Sequence, residues 1–417
     1  MDLVSICHAY VATTNKWFPI LSPKRLFHDV SNIQLSNPDP SLVLLLCCIR
    51  LISLTDYFGP CPEYKLAKAL SSQAENEGIV SLRLIQSVLL LAAYEIGHGI
   101  YPAAYLTLSR AARLGVLAGL GQDGHVALPR LFKIGDSLTL REEERRTSWG
   151  NFMLDRFVHI AAACLPWFIP QISATALSLP VSDRGWSKGE LDTAESSLVL
   201  ASIVTDLDAI GRYATTCQAS HLFCHALKHR TSYKKTESLS LETLQLDEAL
   251  QLHRTLTALD ERLPMDDTEE ANLEALALIC SARYIVYNMY SCNEIDVRSD
   301  PEKLRREVEV QRVSVNGVMD VSSRRVPQMA QKIIELLAAG EASYRGRDIS
   351  PFVVHCLYHA ATECGWFIRE GCGPEMSAGL AVIMSALDQL KTSWPVAVDY
   401  WSLLAKEETV AGLYGLH

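Results

Sequence analysis

Apolar residues recur at helical spacing along almost the whole chain, and no stretch alternates apolar with polar side chains between hairpin turns. That periodicity commits the chain to an all-α fold, a large multi-helix bundle. The most demanding segment is SLRLIQSVLLLAAYEI, from Ser81 to Ile96, which is apolar on nearly every face and must lie at the centre, covered on several sides. Gly97 and Gly99 stop it.

A length of 417 residues favours two packed subdomains or one large helical body. With 49% hydrophobic and 21% charged residues, the chain has enough apolar surface to offset its conformational entropy, which excludes a disordered protein. The formal charge of -10 argues against a broad electrostatic grip on nucleic acid, and no direct nucleic-acid binding is expected. The twelve cysteines are spread through apolar stretches and read as reduced, packed thiols. The N-terminal MDLVSICHAYVATTN has no basic region of the kind that opens a secretory signal. The longest apolar run, Leu42 to Leu54, is broken by Arg50 and falls short of the roughly 20 residues that span a bilayer. A soluble, intracellular protein without membrane contact is expected.

Along the chain, helices are predicted over 40–57, 62–72, 81–96 and from Pro102 onward. In the last of these, Ala104, Leu108, Ala111, Ala112 and Gly115 share one small, close-packing face. After a glycine-rich break from Gly119 to Gly124, the run REEERR opens a helix reaching about Leu165, its acids placed to complement the helix dipole. Pro166 to Ser187 is predicted irregular, and marks the candidate boundary between a core region, 1–190, and a C-terminal helical region, 191–417, packed on it. Further helices are predicted at 189–230, 240–262, 270–293, 303–320, 325–340, 350–370 and 376–391.

Cys217, His221, His225 and His229 follow one another at spacings of four along one helix face. Two histidines at i and i+4 can share a zinc ion, but a third at i+8 lies about 12 Å from the first, so one face cannot close a site. Ordinary histidines are the simpler reading here, as for His355 and His359 with Cys356 beside them, and no metal or cofactor is assigned. G-x-S-x-G, H-E-x-x-H, the phosphate-binding G-x-x-x-x-G-K-[ST] and a strand-borne G-x-G-x-x-G are all absent from the sequence, so no catalytic residue and no enzyme class can be named. Arg145, Trp149, Phe152 and Arg156 fall on one helix face, where guanidinium groups and large rings serve internal packing and ion pairing with Glu142, Glu144 or Asp155.

Five segments occur in a fixed order: NKWFPILSPKRLF (15–27), SLVLLLCCIRLIS (41–53), SLRLIQSVLLLAAYEIGHGIYPAAYLTLSRAARLGVLAGL (81–120), EEERRTSWGNFMLDRF (142–157) and LPVSDRGW (179–186). Together they resemble the fungal-specific transcription factor domain, the regulatory region that follows the zinc binuclear cluster in many fungal regulators, and its secondary-metabolism branch in particular. The resemblance covers at least 15–190, and the helical remainder is compatible with it. Two departures stand out. The family's DNA-reading module opens with a C-x2-C pair, and this sequence contains none. Where the family pairs two tryptophans, Trp149 is followed by Gly150, and the missing ring is expected to enlarge or create a pocket.

The resemblance implies a nuclear, transcription-regulator-like protein of fungal secondary metabolism, sensing an effector through a helical domain without its own zinc cluster. The partners that fit are a lipophilic small-molecule effector and a homodimer, or a heterodimer with full-length regulators. A scaffold reused as a small-molecule-binding protein or cofactor-free enzyme of such a pathway is the alternative, with a cytoplasmic location. Tyr94, Glu95, His98, Trp149, Asp155 and Arg156 are the ligand-pocket candidates, as polar or aromatic groups beside apolar helices.

Overall fold

Ser22, Ser81 and Ser137 each turn a side-chain oxygen onto the backbone N–H three residues ahead, and each opens a helix. The computed structural model describes residues 2–34, 36–53, 61–120, 137–160, 165–169, 178–191, 210–233, 239–265, 271–295, 300–339, 346–407 and 410. Among them the regular structure is helical, with Ser178 a lone bridge residue, so the fold is all-α. No helix among the described residues is long and apolar enough to cross a membrane.

The chain divides into two units, the first comprising Met1–Cys217, Glu341–Pro351 and Ser393–Pro395, the second the remainder. The first holds α1 (Leu3–Ala12), α2 (Thr14–Trp17), α3 (Pro23–Ser31), α4 (Pro40–Ser53), α5 (Pro62–Asn76), α6 (Leu82–Gly97), α7 (Ala103–Ala118), α8 (Leu138–Val158), α9 (Asp183–Lys188) and the first turns of α10 (Arg212–Tyr233). Its axis is α6, which packs against α4, α5, α7 and α8 and buries every residue except Arg83. The close approach expected of α7 is present: Ala104, Leu108, Ala111, Ala112 and Gly115 are all buried. At the C-terminal end of α6, a Cβ on Gly97 would fall 2.2 Å from the Trp394 ring, so this end admits a tryptophan only because the residue is glycine.

The second unit continues α10 and adds α11 (Leu239–Asp260), α12 (Leu273–Tyr287), α13 (Pro301–Asp320), α14 (Val326–Ala339), α15 (Pro351–Arg369), α16 (Pro374–Leu390) and α17 (Pro395–Leu404), the last two prolines before Phe352 and Val396 belonging to the first unit. Here α12 is buried along its whole length, with α11 and α13 against it, and α14 lies on α16.

Several boundaries differ from the sequence reading. The single helix expected over 189–230 is broken: Gly189, in the left-handed region at φ 64°, closes α9, and Gly211 at φ 82° precedes α10. Residues 192–209 lie outside the described set, as do 54–57 of the first predicted helix and 121–136, which include 121–124 of the glycine-rich break. The helix of the REEERR run begins earlier, at Leu138, so its acids sit in the second turn and not at the dipole end. No break separates α13 from α14; a π-helical turn, Val321–Arg325, joins them. Helices α1 to α3, α9 and α17 were not predicted.

Candidate functional site

The densest polar constellation of the first unit surrounds Arg146, which has no solvent exposure. Its Nε donates to Glu142 Oε1 at 2.9 Å, and Nη2 donates to the Val181 carbonyl at 2.8 Å and to Asp183 Oδ1 at 3.1 Å. The guanidinium lies 4.6 Å from the Trp186 ring and 5.2 Å from that of Tyr213. Reciprocal bonds close the structure: Val181 N–H donates to Glu142 Oε1, Tyr213 N–H to Asp183 Oδ2, and Tyr213 O–H to the Arg146 carbonyl. One arginine on α8 thus fastens both the LPVSDRGW strap and the start of α10.

Its neighbours extend the fastening. Glu143 accepts from Ser22 N–H at 3.0 Å and pairs with Arg25, tying α8 to the cap of α3, and burial pushes its carboxyl above the usual range despite the arginine. Arg145 pairs with Glu142. Trp149, fully buried, donates its indole N–H to the Ser178 carbonyl at 3.1 Å and meets Phe152 edge-on. The expected cavity at Gly150 is absent, because Phe18 and Ile20 fill the space; a Cβ there would lie 2.9 Å from each.

Further along α8, Asp155 pairs with Arg156 and accepts from the backbone N–H groups of Phe168 and Ile169. Burial raises the Asp155 carboxyl against the opposing pull of Arg156 and His159. The Arg156 guanidinium is sandwiched between Phe152 and Trp167, 4.6 and 4.2 Å from their rings, and donates to the Ile169 carbonyl. The internal packing role expected of the Arg145 to Arg156 face is what this geometry describes, although the central guanidinium is Arg146, one residue off the predicted stripe.

The other three candidates lie on α6. Tyr94 stacks on His98 with centroids 3.7 Å apart, and Tyr64 stacks on Tyr94. His98 Nδ1–H donates to the Tyr94 carbonyl, and burial together with the Arg347 charge lowers its pKa to about 3. Glu95 is wholly buried; its Oε1 accepts from Tyr64 O–H at 2.8 Å and from Lys68 Nζ at 3.0 Å, and Lys68 also reaches Thr107. Helices α5, α6 and α7 are cross-linked there. The six candidates therefore form an α6 group, Tyr94, Glu95 and His98, and an α8 group, Trp149, Asp155 and Arg156.

In the second unit, His221 and His225 bring their Nε2 atoms to 3.1 Å, while His229 turns to Glu248 and Tyr290. His355 is half-buried, its pKa lowered to about 3 by desolvation first and then by the His359 charge, and His359 Nε2 faces Glu363 at 3.4 Å. Among the described residues, no group of three or more His, Cys, Asp or Glu side chains has the arrangement of a metal site. Asp260 joins Arg283 and Arg325 in a buried three-residue cluster. Two cavities, of about 520 and 270 Å³, belong to this unit and are lined by residues other than the six candidates. No sequence signal could have found the Arg146 or His229 constellations, since their partners lie up to 67 and 61 residues away.

Among the described residues the first unit is helical, and the buried guanidinium of Arg146 fastens helix to strap. The profile of the fungal specific transcription factor domain matches residues 7–258, more than half of the chain, and the chain belongs to that family. A 114-residue stretch is 38% identical to a curated relative described as transcription factor BOA15 from Botryotinia fuckeliana strain B05.10, covering 27% of this chain and 63% of that protein. No solved structure matches. The chain is accordingly transcription-regulator-like.

Proposed function

We propose that this protein acts in the nucleus as a regulator of fungal secondary-metabolite genes, through a helical regulatory domain that borrows DNA specificity from partner regulators. The observation that carries the reading is the family match over residues 7–258, which runs through the α8 fastening centred on Arg146. The net charge of -10 supports a role exerted through partners and not through phosphate contacts. Homodimerisation, or heterodimerisation with full-length relatives, is the mode of action that follows.

A deletion strain tests this. Coordinated loss of a set of biosynthetic transcripts, with a fluorescent fusion concentrated in the nucleus, is the expected result. Purified chain should give no sequence-specific gel shift alone and should co-purify with a full-length relative. Unchanged transcripts together with an altered product profile would overturn the regulatory reading in favour of a small-molecule-binding protein of the pathway, a reading that the 520 Å³ cleft favours.

A further inference from the structure

Cys217, His221, His225 and His229 stand at four-residue intervals on α10, and the fold treats them differently. Cys217 is wholly buried in the first unit, within electrostatic reach of Arg146, Asp183 and Glu142. His229 commits both ring nitrogens, one to Glu248 and one to Tyr290. The middle two turn to each other: their Nε2 atoms stand 3.1 Å apart, and that contact is only partly buried. His221 is 8% exposed and His225 is half-buried, so solvent reaches the pair from the His225 side.

The two rings are not set for a straight hydrogen bond. A linear N–H···N bond at this nitrogen separation would hold the ring centroids end to end, about 5.4 Å apart, whereas they are 4.7 Å apart with their planes at 70°. The rings are therefore inclined, and an N–H pointing straight out of one cannot meet the other's lone pair head-on. Inclination is what two ligands of one ion need: imidazole nitrogens about 2.0–2.1 Å from a metal, roughly at right angles, stand about 3 Å apart. The i, i+4 spacing on one helix face is the spacing that permits it. His221 Nδ1 is closed off from solvent and has no hydrogen-bond partner among the described residues. It is unpaired in either tautomer, so moving the ring proton from Nε2 to Nδ1 strands no further atom. Of the charges that act on His225, Glu248 favours a cation, and Lys228, which opposes one, is exposed and screened.

We propose that His221 and His225 bind one divalent transition-metal ion of the nitrogen-preferring kind, each through Nε2, with water in the remaining positions. Two protein ligands make a weaker site than the three or four of a catalytic or structural zinc centre, so the ion exchanges freely. The inference concerns binding alone and does not depend on the regulatory reading. Its readout is direct, so a regulator that binds no ion and an ion-binding protein without regulatory activity give different results.

Isothermal titration calorimetry of the full chain with nickel chloride, and with manganese chloride as its oxygen-preferring counterpart, is the test. Saturable binding of one nickel ion is expected, with a dissociation constant of about 1–100 μM and manganese weaker by about tenfold or more. His221→Ala and His225→Ala should each weaken nickel by about tenfold or more. Absence of saturable nickel binding overturns the site, and equal affinity for the two ions overturns ligation by imidazole. Nickel affinity unchanged within about twofold in both variants, each with an undisturbed melting temperature, overturns the location. The comparison of the two ions needs no variant, and His225→Gln, which keeps the bulk of the side chain, repeats the test of location if alanine unfolds the chain.

Discussion

Arg146 illustrates how a buried charge specifies a fold. Removing a guanidinium from water is expensive, and the carboxylates of Glu142 and Asp183, the Val181 carbonyl and two aromatic rings together offset that cost. Arg146→Met leaves Glu142 buried beside Arg145 alone and releases the strap. The expected loss is about 3–5 kcal/mol, read as a lowered urea midpoint. Arg146→Lys should recover little of it, because one ammonium cannot reproduce the planar fork that reaches Glu142, Val181 and Asp183. The neighbouring Gly150 makes the opposite point, since a missing ring was filled from a distant segment and left no space. Gly150→Ala pushes a Cβ into Phe18 and Ile20 at 2.9 Å, and should cost about 1–3 kcal/mol instead of filling a void. An unchanged or raised melting temperature for Gly150→Ala would show that these side chains give way freely.

Among elements, the π-helical turn between α13 and α14 has an identifiable cause. Pro327 has no N–H to donate to the Ser323 carbonyl, so the α-helical bond at this step is lost, and the widened turn carries the chain through without a break. Arg325, on that turn, donates Nε to Asp260 Oδ1 at 2.8 Å and Nη2 to the Asp260 and Leu263 carbonyls, capping the C-terminal end of α11. Arg283 on α12 pairs with the same carboxylate and with Asp320. Asp260 therefore neutralises two guanidinium groups from two elements. Asp260→Asn keeps the shape but removes the charge, and a loss of about 3–5 kcal/mol is expected because the Arg283 and Arg325 charges stay buried. Hydrogen exchange should show α14 opening before α6 in this variant, and uniform protection throughout would argue against a local role for the turn.

At the scale of the molecule, what could be read from the sequence was what local periodicity carries: the all-α class, the central helix α6, buried on all sides, and the small-residue face of α7. What could not be read depends on pairing across the chain, as with Tyr213 and Arg146, 67 residues apart, or His229 and Tyr290, 61 apart. The six candidate residues were chosen as polar groups beside apolar helices, a rule that finds buried partners as readily as ligand contacts. The same burial sets the acid stability of the whole protein. His98 and His355 are lowered to about 3 and His221 to about 4, by burial first and then by Arg347, His359 and His225 respectively. Between about pH 6.5 and 4 the unfolded chain binds protons that these folded imidazoles refuse. Their contribution is complete above pH 6.5 and is lost as the pH falls, whereas Glu143 and Asp155, raised by burial, act in the opposite sense above their ordinary carboxyl values. His98→Phe isolates one histidine while keeping a ring on Tyr94. Urea unfolding at pH 7 and pH 5 should show the wild-type chain losing more stability on acidification than His98→Phe, the slopes differing by up to about 1.4 kcal/mol per pH unit for one proton. Parallel losses in the two proteins would mean that His98 takes up its proton in the folded state as easily as in the unfolded one.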